Sequence, residues 1–150
     1  MEKINVLVMG NNPIELSYLF DTLKKIKGKN VETEIAFDRT SIRKRLSHFN
    51  PSYILIDDNI GQVALRTAVQ ELITHRKTKH IPITVVKNSN YHEAMNTGVM
   101  NYVLKHNLSA ESLYQALLNS LKFKKTQLYL LNAYKKRKGQ LKEFIRSNFD

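Results

Sequence analysis

Short runs of β-branched and apolar residues alternate with amphipathic segments along the first 121 residues. Three of these runs are almost entirely apolar, as in strands that are buried on both faces of a parallel sheet. A fourth alternates polar and apolar residues with a period of two, which is typical of an edge strand with one wet face. A fifth is short. The three apolar runs cover 4–9, 53–56 and 81–86, the alternating run 31–37 and the short one 102–104.

Helical patterns fill the intervals between the strands. The first begins with Asn12 as N-cap and Pro13 at the first helical position, and Gly28 is placed to end it. Strands that alternate with helices predict an α/β fold with a doubly wound, five-stranded parallel sheet, because parallel neighbours need helical crossovers. The remaining helices are predicted over 40–49, 63–75, 91–97 and 109–121.

Composition narrows the class of protein. The 150 residues, 42% apolar and 25% charged, suit one globular domain with a sizeable core. The chain has no cysteine, which excludes disulfides, thiol catalysis and thiolate metal sites and favours a reducing, cytoplasmic location. No apolar run approaches the ~20 residues of a membrane span, and no basic-then-apolar leader opens the chain. We therefore expect neither a membrane span nor an export signal.

Polar residues follow the apolar runs at four predicted strand ends, over 10–12, 57–59, 87–89 and 105–106. Ligands of a doubly wound sheet bind beyond the carboxyl ends of its strands. These four tips are therefore where the chemistry of the protein is expected.

Two segments resemble the receiver domain of response regulators. Residues 51–57 resemble the third receiver strand, and Asp57 takes the position of the phosphoacceptor aspartate. Residues 98–105 resemble the fifth-strand signature, with Tyr102 at the aromatic switch position and Lys105 at the lysine that contacts the phosphoryl group. The resemblance implies a flavodoxin-like sheet of order 2-1-3-4-5 and a role in two-component or phosphorelay signalling.

The chain departs from the receiver pattern within the pocket. Receivers carry two adjacent acids at the first strand tip to hold magnesium, and this chain has Gly10 and Asn11 there. Lys87 replaces the switch hydroxyl at the fourth tip, and His106 stands where receivers have proline. Phosphoryl transfer to a carboxylate needs a metal that neutralises developing charge, and magnesium is held by carboxylates, phosphate oxygens and waters. We therefore expect a degenerate pseudo-receiver that binds no cofactor.

A lysine is expected to stand in for the metal. An opposite charge within ~4–6 Å favours the ionised form of a carboxylate, so Lys105, Lys87 or both are expected beside Asp57. A less favoured alternative has Asp58 and Glu15 rebuild an acidic cluster that binds magnesium. The predicted degenerate pocket around Asp57 is Gly10, Asn11, Asp58, Lys87 and Lys105.

The last fifth of the chain differs in charge. Residues 121–150 hold nine bases and two acids, against 15 and 11 in the rest. We expect a receiver-like domain over 1–122 and a basic amphipathic helix over 123–150 that buries Leu128 and Leu131 and exposes 135–138. Three roles of this helix are open. It folds back on the domain, it pairs with a second copy or leads into an output domain, or it binds an acidic partner. Its apolar stripe is Leu121, Leu128, Leu131, Tyr134, Leu141 and Ile145.

The favoured function is that of a binding module, not an enzyme. It signals through its fourth-helix and fifth-strand face or its carboxy-terminal helix, and its partner is a histidine kinase, an output domain or a second copy. The alternative is a working receiver phosphorylated on Asp57. A second alternative is non-specific binding of nucleic acid or an anionic surface through the basic segment, which we disfavour because no base-reading motif follows.

Overall fold

The computed structural model describes residues 1–88 and 98–149. A parallel five-stranded sheet of order β2-β1-β3-β4-β5 forms its centre, as predicted. The predicted helix over 91–97 lies outside the described residues. The strands are β1 (Glu2–Met9), β2 (Lys29–Ala36), β3 (Tyr53–Asp57), β4 (Ile83–Lys87) and β5 (Asn101–Leu104). The helices are α1 (Pro13–Lys24), α2 (Arg39–Leu46), α3 (Gln62–Thr74) and α4 (Ala110–Phe149), with a 3-10 turn at Asp58–Ile60.

Helices cover both faces of the sheet, because alternate residues of the central strands point to opposite sides. One side packs under α2 and α3 and includes Leu7, Met9, Ile54 and Ile56. The other side packs under α1 and the first turns of α4 and includes Val6, Val8, Leu55 and Val86. Burial in edge strand β2 alternates, as its period-two pattern predicts, only in the first half of the strand, and Ala36 at its end is buried under the other face.

Local signals in the sequence explain where the elements begin and end. The Asn12 side chain accepts hydrogen bonds from the backbone N–H groups of Ile14 and Glu15 at 3.0 and 3.2 Å, and so caps α1. Strand β4 begins at Ile83 and not at 81, because Pro82 has no N–H to donate to the ladder.

An ion-pair network joins α2 to α3. Glu71 on α3 accepts hydrogen bonds from the Nε atoms of Arg39 and Arg43 on α2, the second at 2.9 Å. Burial tends to raise the pKa of Glu71, but the hydrogen bonds and charges of the two arginines outweigh it, and the pKa is lowered. The pair of arginines therefore stabilises the ionised carboxylate.

Helix α4 is continuous through 40 residues, which is about 60 Å at the rise of an α-helix. It passes through Gly139 without a break. The expectation that Leu131 is buried is wrong, since its side chain is 45% exposed, while Leu128 is partly buried. The helix leaves the domain after Lys124, and 135–138 are exposed as expected. No helix in the described part of the chain is long and apolar enough to cross a membrane.

Candidate functional site

The carboxyl ends of β1, β3, β4 and β5 meet at one edge of the sheet. Met9 pairs with Ile56, Asp57 with Val86, and Lys87 with Leu104. This register places the residues that follow each strand side by side. It therefore brings four of the five predicted strand ends to one site.

Asp57 lies at the bottom of this site. It is the last residue of β3 and is 1% exposed. Its Oδ1 accepts the backbone N–H of Asn59 at 3.0 Å, which starts the 3-10 turn that follows. A carboxylate so deeply buried needs a compensating charge.

Lys105 supplies that charge. Its Nζ donates to Asp57 Oδ2 at 2.7 Å and to Asn88 Oδ1 at 2.9 Å, and it lies 3.0 Å from Glu15 Oε2. The ammonium thus donates two hydrogen bonds and has a second carboxylate, that of Glu15, at ion-pair distance. Because its side chain is only 11% exposed, the ion pair with Asp57 is largely shielded from solvent.

Asn88 closes the network. Its Nδ2 donates to Asp57 Oδ1 at 3.3 Å and also to Asp58 Oδ1. Its backbone N–H donates to the same Asp58 oxygen at 3.2 Å. Asn88 lies in the strand tip predicted over 87–89 but is not among the individual pocket residues predicted, because its signal in the sequence is its position directly after β4. One amide thereby links both carboxylates of the β3 end to the lysine.

Glu15 lies in the first turn of α1 and reaches the site as a partner of Lys105. The less favoured alternative has it rebuild an acidic cluster with Asp58. In the described residues, no group of three or more His, Asp or Glu side chains is arranged to hold a metal ion. Glu15 therefore binds the ammonium of the site, and it is 33% exposed.

Lys87 and Tyr102 lie together at the neighbouring strand ends. The Nζ of Lys87 is 5.8 Å from the centroid of the Tyr102 ring, within the range of a cation–π contact. Tyr102 is partly buried against the core under α3. Of the two lysines expected near Asp57, the one hydrogen-bonded to it is Lys105.

The end of β1 is packed too tightly for an acidic side chain. A Cβ at Gly10 would lie 2.7 Å from Cδ2 of the buried Leu16 and 3.2 Å from its Cγ. An aspartate here therefore requires Leu16 to move. The adjacent Asn11 is exposed and lines a cleft with Ile60 and Gly61. An acidic side chain at position 10 is therefore incompatible with the present position of Leu16.

Several known structures similar to this one are receiver domains. One is the receiver domain of sensor histidine kinase PA1611 from Pseudomonas aeruginosa, which has magnesium coordinated in its active-site cleft. It superposes with a TM-score of 0.66 at 14% sequence identity, over 80% of this chain and 98% of that one. The chemotaxis response regulator CheY4 of Vibrio cholerae gives 0.63 at 20% identity, over 79% and 99%. The chain has the receiver fold. No protein-family model and no curated protein matches its sequence.

A third neighbour extends beyond the receiver fold. It is a fusion that carries a yeast Spc42 trimeric coiled-coil segment, with a TM-score of 0.60 at 16% identity. The superposition covers 95% of this chain and 99% of that one. Coverage of this size includes part of α4 beyond its contacts with the domain.

Proposed function

We propose that the chain is a receiver-like module of a two-component or phosphorelay pathway that signals through protein contacts, without magnesium-dependent phosphorylation. The observation that carries this proposal is the Asp57 carboxylate, hydrogen-bonded to the Lys105 ammonium at 2.7 Å beside a β1 end that has no acid. The site orders the strand ends and has no catalytic step of its own.

The donor set does not fit a receiver magnesium site. Magnesium requires near-octahedral oxygen ligands and is usually held through one or two carboxylates, waters and phosphate oxygens. Gly10 offers no ligand side chain, and Asn11 offers a neutral carbonyl from an exposed position. Both oxygens of Asp57 already accept hydrogen bonds from the protein. A cation entering here would have to share Asp57 with the lysine ammonium, whose positive charge repels it.

The lack of acids to hold such a cation matters for phosphorylation. A phosphoryl group brings further negative charge to an anionic nucleophile, and phosphoryl transfer depends on groups that neutralise this charge. Lys105 shares its single positive charge between Asp57 and Glu15. The charge left for an incoming phosphoryl group is therefore smaller than in a site with magnesium.

A working receiver remains the second candidate, because Asp57 and Lys105 occupy the two receiver positions that touch a phosphoryl group. Incubation with acetyl phosphate and magnesium, followed by intact-mass measurement at neutral pH, separates the two. We expect no phosphoryl adduct, while a receiver with an intact acidic pair, treated in parallel, gains one. An adduct that is absent from the Asp57→Asn variant would establish the working receiver.

The partners we propose are signalling proteins, namely a histidine kinase, an output domain or a second copy of the chain. We propose a cytoplasmic location, which the lack of cysteine favours. The likeness to a fusion with a trimeric coiled coil, which extends into α4, supports association through this helix. Sequence-specific nucleic-acid binding has no support in the described fold, which offers the basic helix but no element that reads bases.

A further inference from the structure

The free part of α4 exposes large apolar side chains in a regular order. Phe123, Leu130, Tyr134, Leu141 and Phe144 are each between 48% and 63% exposed. They follow one another at spacings of seven, four, seven and three residues. These are the spacings of the a and d positions of a coiled coil, with Tyr134 and Leu141 at a and the other three at d. We call these five residues the α4 seam.

The α4 seam differs from the face that α4 presents to its own domain. The domain contacts are made by Leu113, Leu117, Ser120 and Lys124, all of which are buried. At 3.6 residues per turn, the seam lies roughly a quarter turn away from them around the helix axis. The helix therefore docks on its own domain through one face and leaves a second apolar face unpaired.

The placement of charge favours a second copy of the chain over an acidic partner. In the heptad that the seam defines, six of the nine bases fall at the outward b, c and f positions: Lys122, Lys125, Lys135, Lys136, Lys142 and Arg146. The g positions, which face e positions of a parallel partner helix, carry no charge: Thr126, Ala133, Gln140 and Ser147. Two such helices can therefore approach without like-charge g–e pairs.

The flanking e positions alternate between lysine and apolar residues, in the order Lys124, Leu131, Lys138 and Ile145. Leu131 and Ile145 occupy e positions and are 45% and 48% exposed. Gln127 and Arg137 occupy a and d positions within the seam. A polar residue at such a position specifies register and oligomeric state at a cost in stability, and the two Arg137 charges of a pair repel each other. They predict a defined but reversible association.

We propose that a second copy of this chain docks on the α4 seam, so that residues 123–148 form a two-stranded coiled coil. Each seam side chain has roughly 100 Å² of exposed surface, so pairing removes on the order of 1,000 Å² from water, with aromatic residues giving the most. This is near the lower limit for a specific interface, so the dimer forms and dissociates with concentration. The inference names one partner within the proposed function and is independent of whether Asp57 is phosphorylated.

Sedimentation velocity across a range of protein concentrations tests the proposal. The full chain should pass from the mass of one chain to that of two as its concentration rises. The seam variant, Leu130→Lys with Leu141→Lys, should stay monomeric at every concentration. Both leucines are about 60% exposed in the monomer, so the variant should fold, as circular dichroism will verify.

A matched control distinguishes an effect of the α4 seam from an effect of added positive charge anywhere on the helix. Tyr129→Lys with Asn132→Lys adds the same two charges at the outward c and f positions, beside Leu130. It should dimerise like the unmodified chain. The proposal is overturned if the unmodified chain stays monomeric, if the seam variant dimerises normally, or if both variants lose dimerisation alike. Association seen only on addition of polyglutamate would instead identify an acidic partner. Because acetyl phosphate labelling is measured separately, either proposal can fail alone.

Discussion

Replacing Asp57 with asparagine should lower the stability of the domain. In a cluster of uncompensated carboxylates the same change would raise stability, because removing one of several like charges relieves their repulsion. Here the carboxylate is paired with Lys105 at 2.7 Å, and the pair is almost fully buried, at 1% and 11% side-chain exposure. The sign of the change in free energy of unfolding therefore distinguishes the two kinds of site.

The magnitude follows from what the substitution removes. The introduced asparagine would keep an Oδ1 for the N–H of Asn59 but would present an amide to the lysine in place of a charged oxygen. A hydrogen bond to a charged group contributes about 1.5–3 kcal/mol. Lys105 keeps Glu15 at 3.0 Å and Asn88 at 2.9 Å, which offsets part of the loss. We expect a net loss of about 1–2 kcal/mol, or a fall in Tm of about 2–8 °C for a domain of this size.

Urea and thermal denaturation of a double-mutant cycle measure this pair directly. Lys105→Met alone should cost more, about 3 kcal/mol, because it leaves Asp57 and Glu15 without their cation. The double variant should cost less than the sum, with a coupling of about 1–3 kcal/mol. As a control, Asp21→Asn removes an exposed carboxylate and should change stability by less than about 0.5 kcal/mol. A rise in stability for Asp57→Asn, or no coupling to Lys105, would refute the reasoning.

Three further substitutions test other parts of the structure. Gly10→Asp should destabilise the domain by about 1–3 kcal/mol by displacing a buried leucine, whereas Asn11→Asp at the exposed neighbour should be nearly neutral in urea denaturation. Glu71→Gln should cost about 1 kcal/mol near neutral pH. The folded-state pKa of Glu71 is lowered, so this loss of stability should be present above the unfolded pKa near 4.5 and should disappear as the pH falls through the folded pKa. A loss of stability that is unchanged at low pH would contradict this prediction. Lys124→Met should raise Tm by about 2–4 °C, because burial lowers the pKa of this lysine and disfavours its charge, while Lys125→Met should leave Tm unchanged.

The strands of the sheet and the place of Asp57 and Lys105 at its edge can be predicted from the sequence, because the patterns that mark them are local. Apolar β-branched runs locate the strands, and the residue after each run, such as Asp57 or Lys105, falls at the shared edge by the geometry of parallel sheets. Pro82 is a local signal too, although the predicted strand over 81–86 overlooked it.

The rest of the site depends on distances between elements, which no local pattern encodes. Asn88 is one polar residue in a polar loop, and only the packing of β4 against β3 shows that its amide reaches Asp57. The buried face of α4 was assigned to Leu128 and Leu131 because several apolar stripes fit a helical period. Which stripe is buried depends on where the helix leaves the domain, at Lys124.

The central claim is that Lys105 occupies the place of a cation beside Asp57. Its most direct test is a magnesium titration of the isotopically labelled chain, followed by two-dimensional amide NMR. The amide signals of Asp57, Asn88 and Lys105 should not move at physiological or higher magnesium concentrations, apart from the uniform drift caused by ionic strength. A saturable shift in the millimolar range, confined to these strand ends and absent from Asp57→Asn, would contradict the claim.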